Sequence, residues 1–170
     1  LQTIQQILIK YWGYTHFRPL QEDIINHIIA GKDTLALLPT GGGKSICYQI
    51  PALYNEGVCI VVSPLIALMK DQVNDLKGRG IKAIALTSEL HKREIDIALD
   101  NCIYGDVKFL YLSPERLQND IVKVRLAKMK INLIAVDEAH CISHWGHDFR
   151  PSYLKINELR EILPNVPILA

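Results

Sequence analysis

The run Leu38-Pro39-Thr40-Gly41-Gly42-Gly43-Lys44-Ser45 places three glycines, a lysine and a hydroxyl side by side. Glycine backbones can wrap closely enough for successive N–H groups to point at one anion. An apolar run over 34–38 leads into this segment, and an amphipathic stretch over 44–54 follows it at once. A strand that turns directly into a helix adds the helix's free N–H groups and the positive end of its dipole. In that setting Lys44 reaches the β- and γ-phosphates of a nucleotide, and the Ser45 hydroxyl ligates Mg²⁺. The phosphate-loop consensus has one more glycine where this chain has Leu38, so the match is partial. Thr40, Gly41, Gly42, Gly43, Lys44 and Ser45 together describe a nucleoside triphosphate site.

About ninety residues further on, the apolar run 133–136 ends in Asp137-Glu138-Ala139-His140. Asp137 is placed to hold Mg²⁺, through water, because that ion keeps most of its hydration shell. Glu138 beside it can orient and deprotonate an attacking water. Alone, an Asp-Glu pair equally caps a helix. At the mouth of a buried strand downstream of a phosphate loop, it completes an ATPase. His140 and His144 are four residues apart, and Cys141 lies between them, which admits a zinc reading. The ligand set is irregular and no second cysteine is near, so no zinc is expected here.

These groups need elements to position them. Strands are expected at Thr34–Leu38, Val58–Val62, Ala83–Leu86, Phe109–Leu112, Leu133–Val136 and Val166–Leu169, each apolar on both faces as in a parallel sheet covered on both sides. Helices are expected at Thr3–Tyr11, Leu20–Ala30, Lys44–Tyr54, Leu65–Gly78, Lys92–Asn101, Asn119–Met129 and Tyr153–Ile162. Such alternation implies right-handed crossovers and an α/β fold, with ligands at the carboxyl ends of the strands. The 170 residues suffice for one domain. Lys plus Arg is 19 against 18 for Asp plus Glu, a net charge of +1, so any polyanion must be held by local patches. The cysteines show no C-x-x-C spacing, which suits reduced intracellular thiols. Ser45 to Met69, the most apolar region, carries only Glu56 as a charge, but Pro51, Gly57 and Pro64 interrupt it. No membrane span is expected. The chain starts at Leu1 and ends on Pro167-Ile168-Leu169-Ala170, which reads as a piece of something longer.

At this point the chain resembles a RecQ-family DNA helicase, a branch of superfamily two. The resemblance rests on Gly13-Tyr14, on Phe17-Arg18-Pro19-Leu20-Gln21, on the phosphate loop with Cys47-Tyr48-Gln49-Ile50-Pro51, and on the block from Val62 to Gln72. It continues through Ser113-Pro114-Glu115-Arg116-Leu117 and the block from Asp137 to Pro151, the most specific of all. The resemblance implies a P-loop NTPase (RecA-like) three-layer α/β/α domain with a mostly parallel sheet over residues 1–170. A short adenine-recognition segment, 1–30, would carry Tyr14, Arg18 and Gln21. Tyr offers a stacking face, Arg a planar cation and Gln a paired donor and acceptor; packing of Tyr14 and Phe17 as part of an N-terminal helix is the other reading.

The same resemblance gives His140 and the loop from Ser143 to Tyr153 the task of coupling single-stranded DNA to ATP hydrolysis, through Trp145, His147, Phe149 and Arg150. Aromatic stacking and an arginine on phosphate suit sequence-blind strand binding, although these aromatics can also pack on the helix that follows. Ser63, Pro64 and Lys70 fall on a strand-end motif that touches the DNA backbone. The basic run Lys123, Arg125, Lys128 and Lys130 has no motif behind it and reads as a solvated helix face. The implied whole is an ATP-dependent 3′→5′ helicase using ATP and Mg²⁺, acting on single-stranded and forked DNA in recombination and repair. It would work in the nucleoid if bacterial and in the nucleus if eukaryotic. Its second RecA-like domain, with an arginine finger, would share the ATP cleft, so the 170 residues alone would be nearly inactive. Alternatives are an RNA-acting motor of the same superfamily and a nucleotide-binding module without hydrolysis.

Overall fold

Among the described residues, five parallel strands form the sheet: β1 (Val58–Val62), β2 (Ala83–Leu86), β3 (Phe109–Leu112), β4 (Ile131–Val136) and β5 (Ile168–Leu169), in the order β2-β3-β1-β4-β5. They belong to a computed structural model that describes residues 2–38, 43–137 and 156–170. Seven α-helices accompany them among the described residues: α1 (Ile4–Trp12), α2 (Gln21–Ile29), α3 (Lys44–Tyr54), α4 (Ile66–Gly78), α5 (Lys92–Tyr104), α6 (Asp120–Ala127) and α7 (Ile156–Ile162). The expected α/β fold with a parallel sheet is therefore present.

Alternation along the strands divides the core in two. Cys59, Val61, Phe109, Tyr111, Leu133 and Ala135 face one side, where Tyr48 and Ala52 of α3 and Met69, Val73 and Leu76 of α4 cover them. Val58, Ile60, Val62, Leu110, Ile134 and Val136 face the other, under Leu99 of α5, Leu126 of α6 and Leu159 of α7. All five residues of β1 are buried, as a central strand covered on both faces requires. The side of each helix follows the direction of travel. The step from β1 out to β2 puts α4 on one face, and the return steps put α5, α6 and α7 on the other, as right-handed crossovers demand.

The segment 34–38 departs from expectation. It lies beside β5 at the sheet edge and pairs through a single bridge, Thr34 with Leu169. Thr34 N–H donates to Ile168 O at 2.9 Å and Ala36 N–H to Ala170 O at 2.9 Å. Ala36 is buried, but Leu35 and Leu37 are 69% and 81% exposed, so the strand is covered on one face only. Asp33 pins its start: Arg160 of α7 donates to both carboxylate oxygens at 2.8 Å, and Ile168 N–H donates to one of them at 2.9 Å.

The basic run also differs from expectation. Lys123 pairs with Glu158 of α7 at 2.6 Å, and Arg125 pairs with Asp96 and Asp100 of α5. Two of the four cations thus tie α6 to its neighbours, and their side chains are largely covered. Cys47, Cys59 and Cys102 are buried free thiols; burial pushes Cys102 up to about 12, so it stays protonated and unreactive. Cys141 lies outside the described residues. No helix of the described residues is long and apolar enough to cross a membrane.

The entry to β1 is tight. Gly57 has φ +112, and a Cβ there would overlap the carbonyl oxygen of Lys130, which accepts Val58 N–H at 2.8 Å. The β1–β4 register shifts at this point, and Asn132 turns its amide onto Ala52 O at 3.0 Å and Asn55 O at 3.2 Å, closing the end of α3. Gly57→Ala is expected to cost about 2 kcal/mol, the scale of one strained backbone position. A thermal melt of the protein should fall by roughly 5 °C, whereas an unchanged midpoint would show that the bulge relaxes freely.

Candidate nucleotide-binding site

The amino end of α3 is built for an anion. Its N-cap is Gly43, in the left-handed region at φ 80°, and among the described residues no side chain caps the first N–H groups. A helix start of this kind presents N–H donors together with the positive end of the helix dipole. Lys44 and Ser45 are the first two residues of the helix, both half-buried. Thr40, Gly41 and Gly42, the rest of the expected cradle, lie outside the described residues.

Gly43 is also where the amino-terminal segment reaches the cradle. Gln21, only 2% exposed, donates from Nε2 to Gly43 O at 3.0 Å and accepts Arg18 N–H at Oε1 at 2.8 Å. The turn between them holds Leu20 at φ 72°, a left-handed conformation that a branched side chain adopts only when its surroundings enforce it. Gln21 is thus a strut between the 18–21 turn and the phosphate cradle. Tyr14, Arg18, Gln21, Gly43 and Ser45 all line one cleft of about 650 Å³. Its far wall is α4, where Arg79 is fixed by Asp75 at 3.0 Å, by Tyr11 O at 2.8 Å and by the face of Trp12 at 5.2 Å. Asp75 and Arg79 were not anticipated from the sequence; Asp75 sits in the last turns of an amphipathic helix and Arg79 caps its end, where charge is ordinary.

A polar chain runs from the buried core to the cleft wall. Tyr48 of α3 donates its hydroxyl to Gln72 Oε1 of α4 at 2.6 Å and meets Tyr111 of β3 at 2.8 Å. Gln72 in turn donates to Ser45 Oγ at 3.4 Å. Burial is the main cause that raises both phenols, and the charge of Asp137 adds to it, so neither ionises near neutral pH. Cys47 donates its thiol to Gly43 O at 3.7 Å; burial pushes it up to about 11 although Lys44 pulls the other way.

Asp137 follows β4 and is half-buried, with its N–H donated to Val62 O at 2.8 Å. Ser45 and Asp137 offer hard oxygen donors at the carboxyl edge of the sheet. That donor chemistry fits Mg²⁺, which takes one or two protein ligands and keeps its waters. Among the described residues no three His, Cys, Asp or Glu side chains converge on a common point. Glu138, His140, Trp145, His147, Phe149 and Arg150 lie outside the described residues.

The strand-end residues divide. Pro64 lines a second cleft, about 500 Å³, together with Thr87, Ser113, Arg116 and Asn119 at the ends of β1, β2 and β3. Ser63 does not reach it: the residue is 1% exposed and its Oγ accepts Leu65 N–H at 3.3 Å, which holds the turn into α4. Lys70 does not reach it either. It pairs with Glu89 at 2.6 Å and lines a separate groove between α4 and α5. Arg116 donates to Thr87 O at 2.8 Å and joins two of the strand ends.

A parallel sheet, a glycine-capped helix start and an acidic residue at a neighbouring strand end define a P-loop α/β nucleotide-binding domain. Residues 18–169 match the DEAD/DEAH box helicase family, and the chain belongs to it. It is 51% identical over 168 residues to the probable ATP-dependent DNA helicase RecS of Bacillus subtilis, covering 98% of this chain and 34% of that protein. It is 46% identical over 171 residues to the ATP-dependent DNA helicase RecQ of the same bacterium, covering 99% and 29%. The putative ATP-dependent RNA helicase R290 of Acanthamoeba polyphaga mimivirus is 46% identical over 170 residues, covering 98% and 30%. The RecQ resemblance of the motif blocks accords with these relatives. The chain spans about a third of their length.

Proposed function

We propose that this chain is the ATP-binding motor domain of a RecQ-type DNA helicase, which couples ATP hydrolysis to 3′→5′ movement along single-stranded DNA and opens forked duplexes in recombination and repair. The observation that carries the reading is the single cleft joining Tyr14, Arg18 and Gln21 to the α3 cradle at Gly43 and Ser45. A base-sized pocket beside a phosphate site is what a nucleotide requires. In this reading the guanidinium of Arg18 and the ring of Tyr14 hold the adenine, and the N–H groups at the start of α3 hold the phosphates. Lys44 neutralises the β- and γ-phosphate oxygens. Ser45 and Asp137 hold Mg²⁺, which when bound supplies charge neutralisation between those phosphates. Glu138 accepts the proton of the attacking water, and His140 links that carboxylate to the loop of Trp145, His147, Phe149 and Arg150.

Single-stranded DNA lies across the strand ends at Pro64, with the aromatic loop stacking on bases. A second RecA-like domain of the same protein closes the ATP cleft. Such a protein works in a bacterial nucleoid or a eukaryotic nucleus. An RNA-acting motor is the second reading, favoured by the similarity to a relative named as a putative RNA helicase. The two separate in a steady-state ATPase assay of the full-length protein. Single-stranded DNA is expected to stimulate turnover at least about tenfold more than RNA of the same sequence, equivalent to about 1.4 kcal/mol; the reverse order would replace DNA with RNA in this reading.

A further inference from the structure

We infer that Gln72 is a positioning residue for the Ser45 hydroxyl, itself aimed by the buried pair Tyr48 and Tyr111. The inference rests on the reading above, in which Ser45 contacts the nucleotide's metal.

The direction of the hydrogen bonds carries it. A carbonyl oxygen can only accept, so at Gln72 Oε1 the proton is that of Tyr48. Tyr48 has no second proton, so its contact with Tyr111 is donated by Tyr111. The chain of donors therefore runs from β3 through α3 to α4 in one direction. The Gln72 amide stands at its end, with its oxygen toward Tyr48 and its NH₂ toward Ser45 Oγ. A serine hydroxyl has two lone pairs and one proton. The N–H of Gln72 takes one lone pair, which leaves the second lone pair and the proton in set directions.

Burial makes this arrangement stiff. Tyr48 and Tyr111 are 1% and 0% exposed, so bulk water does not replace a missing partner. The raised phenols keep their protons at any pH near neutrality, so the chain is always complete. Gln72 also lies next to Met69, Val73 and Leu76, the core-facing stripe of α4, where a polar side chain needs a partner. Its helix begins directly after the Ser63–Leu65 turn at the end of β1. Ser45 is thus aimed from the sheet and from α4, not by the phosphate loop alone.

The test uses the full-length protein and a fluorescent ATP analogue, titrated with Mg²⁺ and again in EDTA. Gln72→Met keeps the volume and removes the donor; Tyr48→Phe keeps the ring and removes the proton that orients Gln72. Each is expected to raise Kd in Mg²⁺ by about five- to tenfold, the worth of one hydrogen bond, and to change Kd in EDTA by less than about twofold. Equal weakening in both conditions would overturn the inference, since it would mean damage to the cleft wall. So would an unchanged Kd in Mg²⁺ for Gln72→Met, a half-buried position whose variant a thermal melt can show to be folded. Ser45→Ala is the reference. If it loses the Mg²⁺ dependence and Gln72→Met does not, only the positioning role fails. If Ser45→Ala keeps that dependence, the metal reading itself fails and takes the inference with it.

Discussion

Replacing Glu138 by Gln in the full-length protein is expected to lower ATP turnover by about a thousandfold and leave ATP affinity within roughly twofold, the range of a lost general base. The amide keeps the shape and the hydrogen-bonding reach of the carboxylate but cannot take a proton. The residue follows Asp137, whose N–H is held by Val62 O at 2.8 Å, so the acidic pair begins from the pinned end of a central strand. The substitution also removes one negative charge from the chain next to Asp137, which does not disfavour anion binding. Phosphate release and nucleotide titration measure the two quantities separately. Turnover that survives the substitution would leave the proton without its acceptor, and the non-hydrolysing module would become the better reading.

Gly43→Ala should be nearly as damaging, by a different route. The position needs φ near +80°, which costs an L-residue about 1–2 kcal/mol. The new Cβ would overlap Gln21 Nε2, so the Gln21 strut must swing away and give up its bonds to Gly43 O and Arg18 N–H. Each lost bond is worth about 1 kcal/mol. The α3 start can relieve these costs by leaving the cradle geometry. They then fall on nucleotide binding more than on folding. Loss of roughly a hundredfold in ATP affinity corresponds to about 3 kcal/mol, with a melting midpoint that moves by only a few degrees. Binding retained within about threefold would mean that Gln21 does not brace the cradle. Substitution of Gln21 itself by Ala would then be equally mild.

Much of this was legible in the residues. β1, β2, β3 and α3 begin and end where their apolar runs, glycines and prolines place them. The helix over 92–104 runs three residues past expectation because Cys102 continues the buried stripe of Ala98 and Leu99, and Gly105 ends it. The 34–38 segment could not be read correctly from its own composition. An apolar run looks the same at the centre and at the edge of a sheet, and its position is set by partners at 168–170. Motif spacing pointed to Gly43, Lys44, Ser45 and Asp137, which the fold places at the start of α3 and the end of β4. It could not show that Gln21 spends its amide on a residue 22 positions away, nor that Ser63 faces inward and Lys70 pairs with Glu89. Gln72 did carry a readable signal, a polar residue on the apolar stripe of a helix, but nothing local shows that its partner is a serine 27 residues earlier.

The pairing of Thr34 and Ala36 with residues 168–170 sets a schedule for a growing chain. The segment that launches the phosphate loop joins the sheet through β5, and Asp33 waits for Ile168, 135 residues later. At cellular synthesis speeds of about 5–20 residues per second, that wait is roughly 7–30 seconds. Until then the glycine run has a helix after it but no sheet before it. In the proposed reading, the nucleotide meets a complete cradle only after nearly all of these residues have been made.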